Sequence, residues 1–270
     1  MIRVTFHGVR GSVPVSGADF AAYGGHTTCL EIRTPDVQII VDAGSGFQNV
    51  EIAEASPVII AFTHFHHDHI QGLAFNGDLL RQDREIFVTS ALCGPEILRK
   101  NLQNYFHGVY FPIDLIAIKH QLNFVDFDEI PKIFSGILES KTMSLNHPGG
   151  CAAYRFGLAG SDVVTLIDNE FEQDQQGKLW DFVAGASLTV WDGMFLEEEL
   201  PMRRGWGHSS IEDGVAFFEG MQKSIEGSKL AITHHAPSRT DKQLNALAKR
   251  LLIHETFLAK ESQQIVIEQI

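Results

Sequence analysis

The chain has 270 residues, 44% hydrophobic and 20% charged, which is ordinary for a globular protein, is enough for one large α/β domain and excludes wholesale disorder. Its formal net charge of −13 and pI near 5.4 argue against a surface that tracks a long polyanion such as RNA, although a local patch or a metal pair could hold one phosphate. Three cysteines (Cys29, Cys93 and Cys151) are too few and too scattered for a disulfide framework and favour a reducing compartment, and no apolar run approaches the roughly 20 residues of a membrane span.

The amino terminus, MIRVTFHG, alternates like a strand over Ile2–His7 and lacks a basic region followed by an apolar one, so a cytoplasmic location is expected. The loop GVRGSVPVSG follows, then strands over Thr28–Arg33 and Val37–Asp42 around a Thr-Pro-Asp turn. Pro57–Thr63 (PVIIAFT) is continuously apolar, as in a strand buried on both faces, and His64–Gly72 breaks that run and leads into a short helix. The stretch from about Glu85 to Phe134 mixes a strand (Ile86–Thr89), a helix (Pro95–Phe106) and further short strands. Strands over Lys141–Asn146, Ala152–Gly157, Val163–Asp168 and Ser187–Trp191 come next, then a helix over Ile211–Met221, a buried strand over Lys229–Thr233 and an amphipathic closing helix over Gln243–Leu258. Strands precede helices and the order repeats in the second half, with no low-complexity linker. The expectation is one domain over residues 1–270, with two sheets back to back and helices outside: an αββα sandwich.

Thirteen histidines are a high share for this length, and they cluster. Thr63–His69 reads T-H-F-H-H-D-H, so His64, His66 and Asp68 keep one parity at a strand end and His69 follows at the turn into a helix. Three imidazoles and a carboxylate supply the N and O ligands that zinc and related metals prefer. His67 falls out of that register. A solvated histidine-rich loop is the plain alternative, but such loops seldom follow an apolar strand directly.

His64-x-His66-x-Asp68-His69 resembles the HxHxDH signature of the metallo-β-lactamase superfamily, and the likeness extends over essentially the whole chain. It implies that fold, and it implies two divalent metal ions per subunit. The first would be held by His64, His66, His147 and Asp168, and the second by Asp68, His69, Asp168 and His234. His147 stands in Asn-His-Pro-Gly, Asp168 ends VVTLID and His234 ends LAIT; His234 is preferred over the adjacent His235 because an apolar-apolar-Thr ending precedes it, as Thr63 precedes His64. The ligand types suit Zn2+, Mn2+ or Fe2+ alike. Asp42 resembles the family's brace for a ligand histidine, whereas His26, in Gly-Gly-His-Thr-Thr, is either a substrate contact or a turn-closing residue.

A carboxylate bridge at Asp168, with no cysteine beside a ligand at a strand end, resembles the phosphoesterase branches more than the antibiotic-hydrolysing one. Asp192 in TVWDGMF and His208 in Gly-His-Ser-Ser resemble the acid and histidine of the ribonuclease Z and phosphodiesterase branch, where the histidine stabilises the attacked phosphate or protonates the leaving oxygen. Ser209-Ser210-Ile-Glu also reads as a capped helix start, and the two roles are compatible. Asp68, His208 and Asp192 are therefore the expected catalytic residues.

The segment DNEFEQDQQGKLWDF is short and acidic, unlike the Lys-rich arm with which ribonuclease Z enzymes grip transfer RNA. With GVRGSVP, GGHTTC and GHSSIEDG, the pattern resembles phosphodiesterases of cyclic nucleotides or cyclic ribose phosphates, the anti-Pycsar type among them. The expected activity is hydrolysis of a small phosphodiester by a metal-activated hydroxide, in a cytoplasmic homodimer. A carboxyl-ester, lactone or thioester hydrolase and a tRNA 3′-processing endonuclease are the alternatives.

Overall fold

The computed structural model describes residues 1–81, 84–221, 227–250 and 255–268. Alternation of side chains along the strands sets the layers. In β3 (Gln38–Val41) and β4 (Val58–Ala61), Ile39, Val41, Ile59 and Ala61 face the space between two sheets, while Ile40, Val58 and Ile60 face helices. Both faces are covered, which is why these segments read as unbroken apolar runs.

The first sheet takes the order β13-β1-β2-β3-β4-β5-β6. It adds β1 (Ile2–Gly8), β2 (Cys29–Arg33), β5 (Ile86–Thr89), β6 (Leu122–Phe124) and the late strand β13 (Gln264–Ile267) to the two above. Pairing is antiparallel from β13 to β3 and parallel from β3 to β6. The second sheet runs β12-β11-β10-β9-β8-β7. Its strands are β7 (Leu138–Leu145), β8 (Cys151–Leu158), β9 (Ser161–Leu166), β10 (Leu188–Asp192), β11 (Lys229–Thr233) and β12 (Thr256–Leu258), antiparallel from β7 to β9 and parallel beyond.

The helices are α1 (His67–Ile70), α2 (Gly77–Arg81), α3 (Pro95–Tyr105), α4 (Leu115–Ile118), α5 (Ile130–Ile133), α6 (Gln176–Val183), α7 (Ile211–Gly220) and α8 (Asp241–Arg250). Leu98 and Leu102 of α3 pack on the outer face of the first sheet; Leu179 and Val183 of α6, Val215 and Phe218 of α7, and Leu244 and Leu247 of α8 cover the second. The αββα arrangement is as expected.

Polar ties cross between the sheets where β4 ends. The buried Tyr154 hydroxyl donates to the Phe62 carbonyl at 2.7 Å and accepts from the Ala91 amide at 2.9 Å, and the Ala152 amide donates to the Thr63 carbonyl at 3.0 Å. These bonds hold the chain just before His64 against β8.

Three local expectations are corrected. The closing helix expected over Gln243–Leu258 ends at Arg250 within the described residues, and Thr256–Leu258 is β12, paired parallel to β11 from Leu230↔Thr256 to Ile232↔Leu258. The edge of β11 offers those residues backbone partners that outweigh helical periodicity; the part of the expected helix over 251–254 lies outside the described residues. The middle stretch holds one short strand after α3, namely β6, together with α4 and α5, rather than several strands. The strand before the HxHxDH motif stops at Ala61, so His64 and His66 lie on the connection into α1, not on the strand.

Candidate metal centre

The centre lies where β4, β7, β9 and β11 end. Asp42, one residue past β3 and left-handed at φ 61°, accepts from the Thr63 amide at 2.8 Å, from the Thr63 hydroxyl at 2.7 Å and from His69 Nδ1–H at 2.8 Å. The Thr63 proton is committed to Asp42, so the 3.1 Å contact of His64 Nδ1 with the Thr63 oxygen is a donation by the imidazole. His147 donates through Nδ1–H to the Gly207 carbonyl at 2.8 Å. In His64, His69 and His147 alike, this bonding occupies Nδ1 and turns Nε2 toward the centre.

Asp168 and His234 follow β9 and β11, and both take left-handed backbone, at φ 60° and 59°. Asp168 Oδ2 stands 3.6 Å from His64 Nε2 and 3.5 Å from His147 Nε2. Its other oxygen, Oδ1, stands 3.3 Å from His69 Nε2 and 3.1 Å from His234 Nε2. Asp68 Oδ2 lies 3.5 Å from His69 Nε2 and 3.4 Å from His234 Nε2, and His66 Nδ1 lies 3.0 Å from His147 Nε2. Ligands about 2.1 Å from a tetrahedral ion are separated by about 3.4 Å, so these spacings match donors aimed at common points.

Orphaned atoms support that fit. Among the described residues, nine buried side-chain N or O atoms have no hydrogen-bond partner, and His64 Nε2, His69 Nε2, Asp168 Oδ1 and both ring nitrogens of His234 are five of them. So many unpaired polar atoms in one place are costly unless a cation satisfies them. The donor set, imidazole nitrogen with carboxylate oxygen, therefore fits divalent metal binding.

Protonation agrees. Burial first, then neighbouring imidazoles, lower His64 well below the usual histidine range, and burial lowers His66 and His147, so each keeps a lone pair to give. Burial alone would raise Asp68 and Asp168, but the charges of His69 and His234 overcome it and both stay ionised. Burial opposes a charge on His69, yet Asp168, Asp68 and Asp42 raise it well above its usual range. Three carboxylates converging on one imidazole make a place that draws positive charge, which a bound metal supplies instead of a proton.

A family model for a beta-lactamase superfamily domain matches residues 38–235, from β3 through His235. The chain belongs to the beta-lactamase superfamily. The fold is shared with the metallo-β-lactamase fold protein YhfI from Bacillus subtilis (18% identity, TM-score 0.67, 98% of each chain covered). It is also shared with human tRNase Z, short form, at 17% identity and TM-score 0.67, covering 98% of this chain and 99% of that one. Unliganded yeast PDE1 is similar at 14% identity and TM-score 0.68, with the same two coverages of 98% and 99%. No curated protein matches the chain by sequence.

Beside the superfamily's metal-type donors, His208 Nδ1–H donates to Asp192 Oδ2 at 2.8 Å, and the His208 ring stacks on that of His234 at 5.0 Å. Burial works against a charge on His208. The charge and hydrogen bond of Asp192 prevail, with help from Asp168 and Asp68, and hold it at about 9. A cation on Asp168 and Asp68 removes part of that help and leaves Asp192 as the main support. Ser210, two residues on, caps α7: its hydroxyl accepts from the Asp213 amide at 2.9 Å, while Asp213 accepts from the Ser210 amide at 3.2 Å. The cap and the His208–Asp192 pair coexist.

The structure thus brings His64, His66, Asp68, His69, His147, Asp168, Asp192, His208 and His234 together. His235 turns away: its Nε2–H donates to the Ala259 carbonyl at 2.9 Å. His26 bonds Ser45 and Gln48 and is not among the converging donors. His67 contacts the Tyr105 hydroxyl outside the cluster. Cys29 and Cys151 are buried in the apolar clusters, whereas Cys93 is half-buried at the edge of one.

Three supporting residues escaped sequence reasoning. A Cβ at Gly11 would stand 2.4 Å from the His234 ring, and one at Gly207, left-handed at φ 82°, would stand 2.1 Å from His147 Nδ1. Only glycine admits these rings. Glu170 accepts from the Gly205 amide at 2.7 Å and the Gly207 amide at 3.0 Å, clamping the loop that carries both the His147 acceptor and His208. The glycines in GVRG and GWGH were visible signals; Glu170 offered only its place two residues after Asp168.

Proposed function

We propose that the chain is a dinuclear-metal phosphodiesterase of the ribonuclease Z and phosphodiesterase-like branch, acting on a small phosphodiester such as a 3′,5′-cyclic nucleotide. The observation that carries this reading is Asp168, with one oxygen toward each of two donor sets and the His208–Asp192 pair beside it. Two divalent ions, when bound, supply charge that stabilises the phosphoryl transition state and makes water a competent nucleophile at neutral pH. His64, His66, His147 and Asp168 would hold one, and Asp68, His69, His234 and Asp168 the other. Zn2+ is the first choice, with Mn2+ or Fe2+ as substitutes. Asp42 and Gly207 fix the ligand tautomers. Asp192 keeps His208 protonated at Nδ1, and His208 delivers a proton from Nε2 to the departing oxygen.

Charge selects the substrate class. A cyclic nucleotide carries a single negative charge, which the centre can balance without a basic surface. A precursor RNA carries many, and a chain of net charge −13 opposes it. Between Asp168 and β10, α6 packs Leu179 and Val183 into the apolar cluster of the second sheet, which is not the form of an RNA-gripping arm. No helix among the described residues is long and apolar enough to cross a membrane. A cytoplasmic homodimer with a single domain completes the proposal.

The test is competition among a 3′,5′-cyclic nucleotide, a precursor transfer RNA, a lactone and a β-lactam at equal concentrations, with zinc- or manganese-loaded protein. Turnover of the cyclic nucleotide is the expected result. Efficient 3′ trimming of the RNA, or lactone opening with cyclic nucleotides untouched, overturns the reading.

A further inference from the structure

A cavity of about 680 Å³, within the range of small-molecule sites, opens beside the HxHxDH segment. His67 lines it, and His67 stands between His66, the exposed member of the first donor set, and Asp68 of the second. His66 and His67 are both exposed, and consecutive Cα atoms are about 3.8 Å apart, so the cavity and the exposed donor share one short stretch of chain.

Its walls are aromatic. Phe111 meets Phe75 edge-on at 6.0 Å and Phe106 at 5.4 Å, so these rings brace one another, and Tyr105 is pinned by its hydroxyl contact with His67. Tyr110 is 80% exposed and Phe75 63% exposed, which leaves ring surface for a partner. Asn101 and Asn104, a turn apart on α3, also line the cavity, and their amides make no hydrogen bond among the described residues. None of the described lining residues is Asp, Glu, Lys or Arg, although the chain carries 34 acidic residues.

We propose that this cavity is the base-specificity pocket of the site and holds the heteroaromatic ring of a nucleotide whose phosphate sits at the metal centre. The inference rests on the phosphodiesterase reading above and extends it to substrate selection. The physical match has three parts. Aromatic faces stack on a flat base. Amides that both donate and accept pair with its edge. The lack of acidic side chains spares an anionic ligand the repulsion it meets elsewhere on this surface. A second copy of the chain is the competing occupant of so apolar a wall.

Tyr110→Ala and Phe75→Ala test the proposal, since both side chains are mostly exposed and neither change should unfold the protein. Two ratios are read on metal-loaded protein: kcat/KM for adenosine 3′,5′-cyclic phosphate over methyl riboside 3′,5′-cyclic phosphate, and Kd for adenosine 5′-monophosphate against ribose 5-phosphate. The wild-type chain should prefer the base-bearing member of each pair, and each variant should cut that preference by about tenfold or more. Cyclic nucleotide hydrolysis with the preference intact in both variants overturns the pocket and leaves the activity standing. Loss of the Kd preference with no phosphodiester hydrolysed upholds the pocket and sinks the activity. Variants that shift the molar mass in solution while both ratios hold make this wall a subunit interface, and the proposal falls.

Discussion

His235 is a buried neutral histidine whose effect on stability follows from its surroundings. It is 1% exposed, donates through Nε2–H to the Ala259 carbonyl at 2.9 Å and meets the edge of Tyr23 at 5.9 Å. Burial, with further push from the charges of Arg10, His234 and Arg239, overcomes the Ala259 bond and brings its pKa from 6.5 down to about 3. Above pH 6.5 both the folded and the unfolded chain hold it neutral, and it adds no pH dependence. Below that, only the unfolded chain takes the proton, so stability falls with acid until the folded group titrates near 3.

At pH 5 the loss works out to about 2 kcal/mol. The perturbation is His235→Gln, which removes the titration and keeps an N–H donor of similar reach. The variant should be less stable at pH 8 by roughly 1–3 kcal/mol, because replacing a fitted buried hydrogen bond is costly. Between pH 8 and pH 5 it should lose about 2 kcal/mol less than the wild type. Reversible urea unfolding at both pH values measures that double difference, and acid loss of metal, common to both proteins, cancels from it. Equal acid sensitivity of the two proteins would refute the reasoning.

Asp168→Ala removes one donor from each set, so metal content by elemental analysis should fall from about two equivalents per chain to below one. Retention of two equivalents would show that Asp168 does not join the sets. His208→Ala should keep both metals but lose roughly 10²–10⁴-fold in turnover of a substrate with a poor leaving group. Near-normal turnover would reduce His208 to a residue that merely precedes the α7 cap.

Much of the site was legible because its residues announce themselves locally. The run before Thr63 is apolar because β4 is covered on both faces, and the HxHxDH spacing survives as a motif because one short connection and the start of α1 carry four of the donors. His147, Asp168 and His234 were assigned by the resemblance to the superfamily's ligand set, because alone each would read as an ordinary loop residue. What the sequence could not decide rests on contacts between distant residues. Each ligand tautomer depends on an acceptor elsewhere: Asp42 lies 27 positions from His69, and Gly207 lies 60 from His147. His234 and His235 are chemically alike in sequence; the left-handed backbone at His234 and the Ala259 carbonyl facing His235 send their rings opposite ways. Amphipathic spacing suggested helix through Leu258, but the free edge of β11 made Thr256–Leu258 a strand. The cavity beside His67 needs α1, α3 and the 106–111 loop to meet, and no local period encodes that meeting. Sequence determined the chemistry that is available, and packing determined which nitrogen and which oxygen face it.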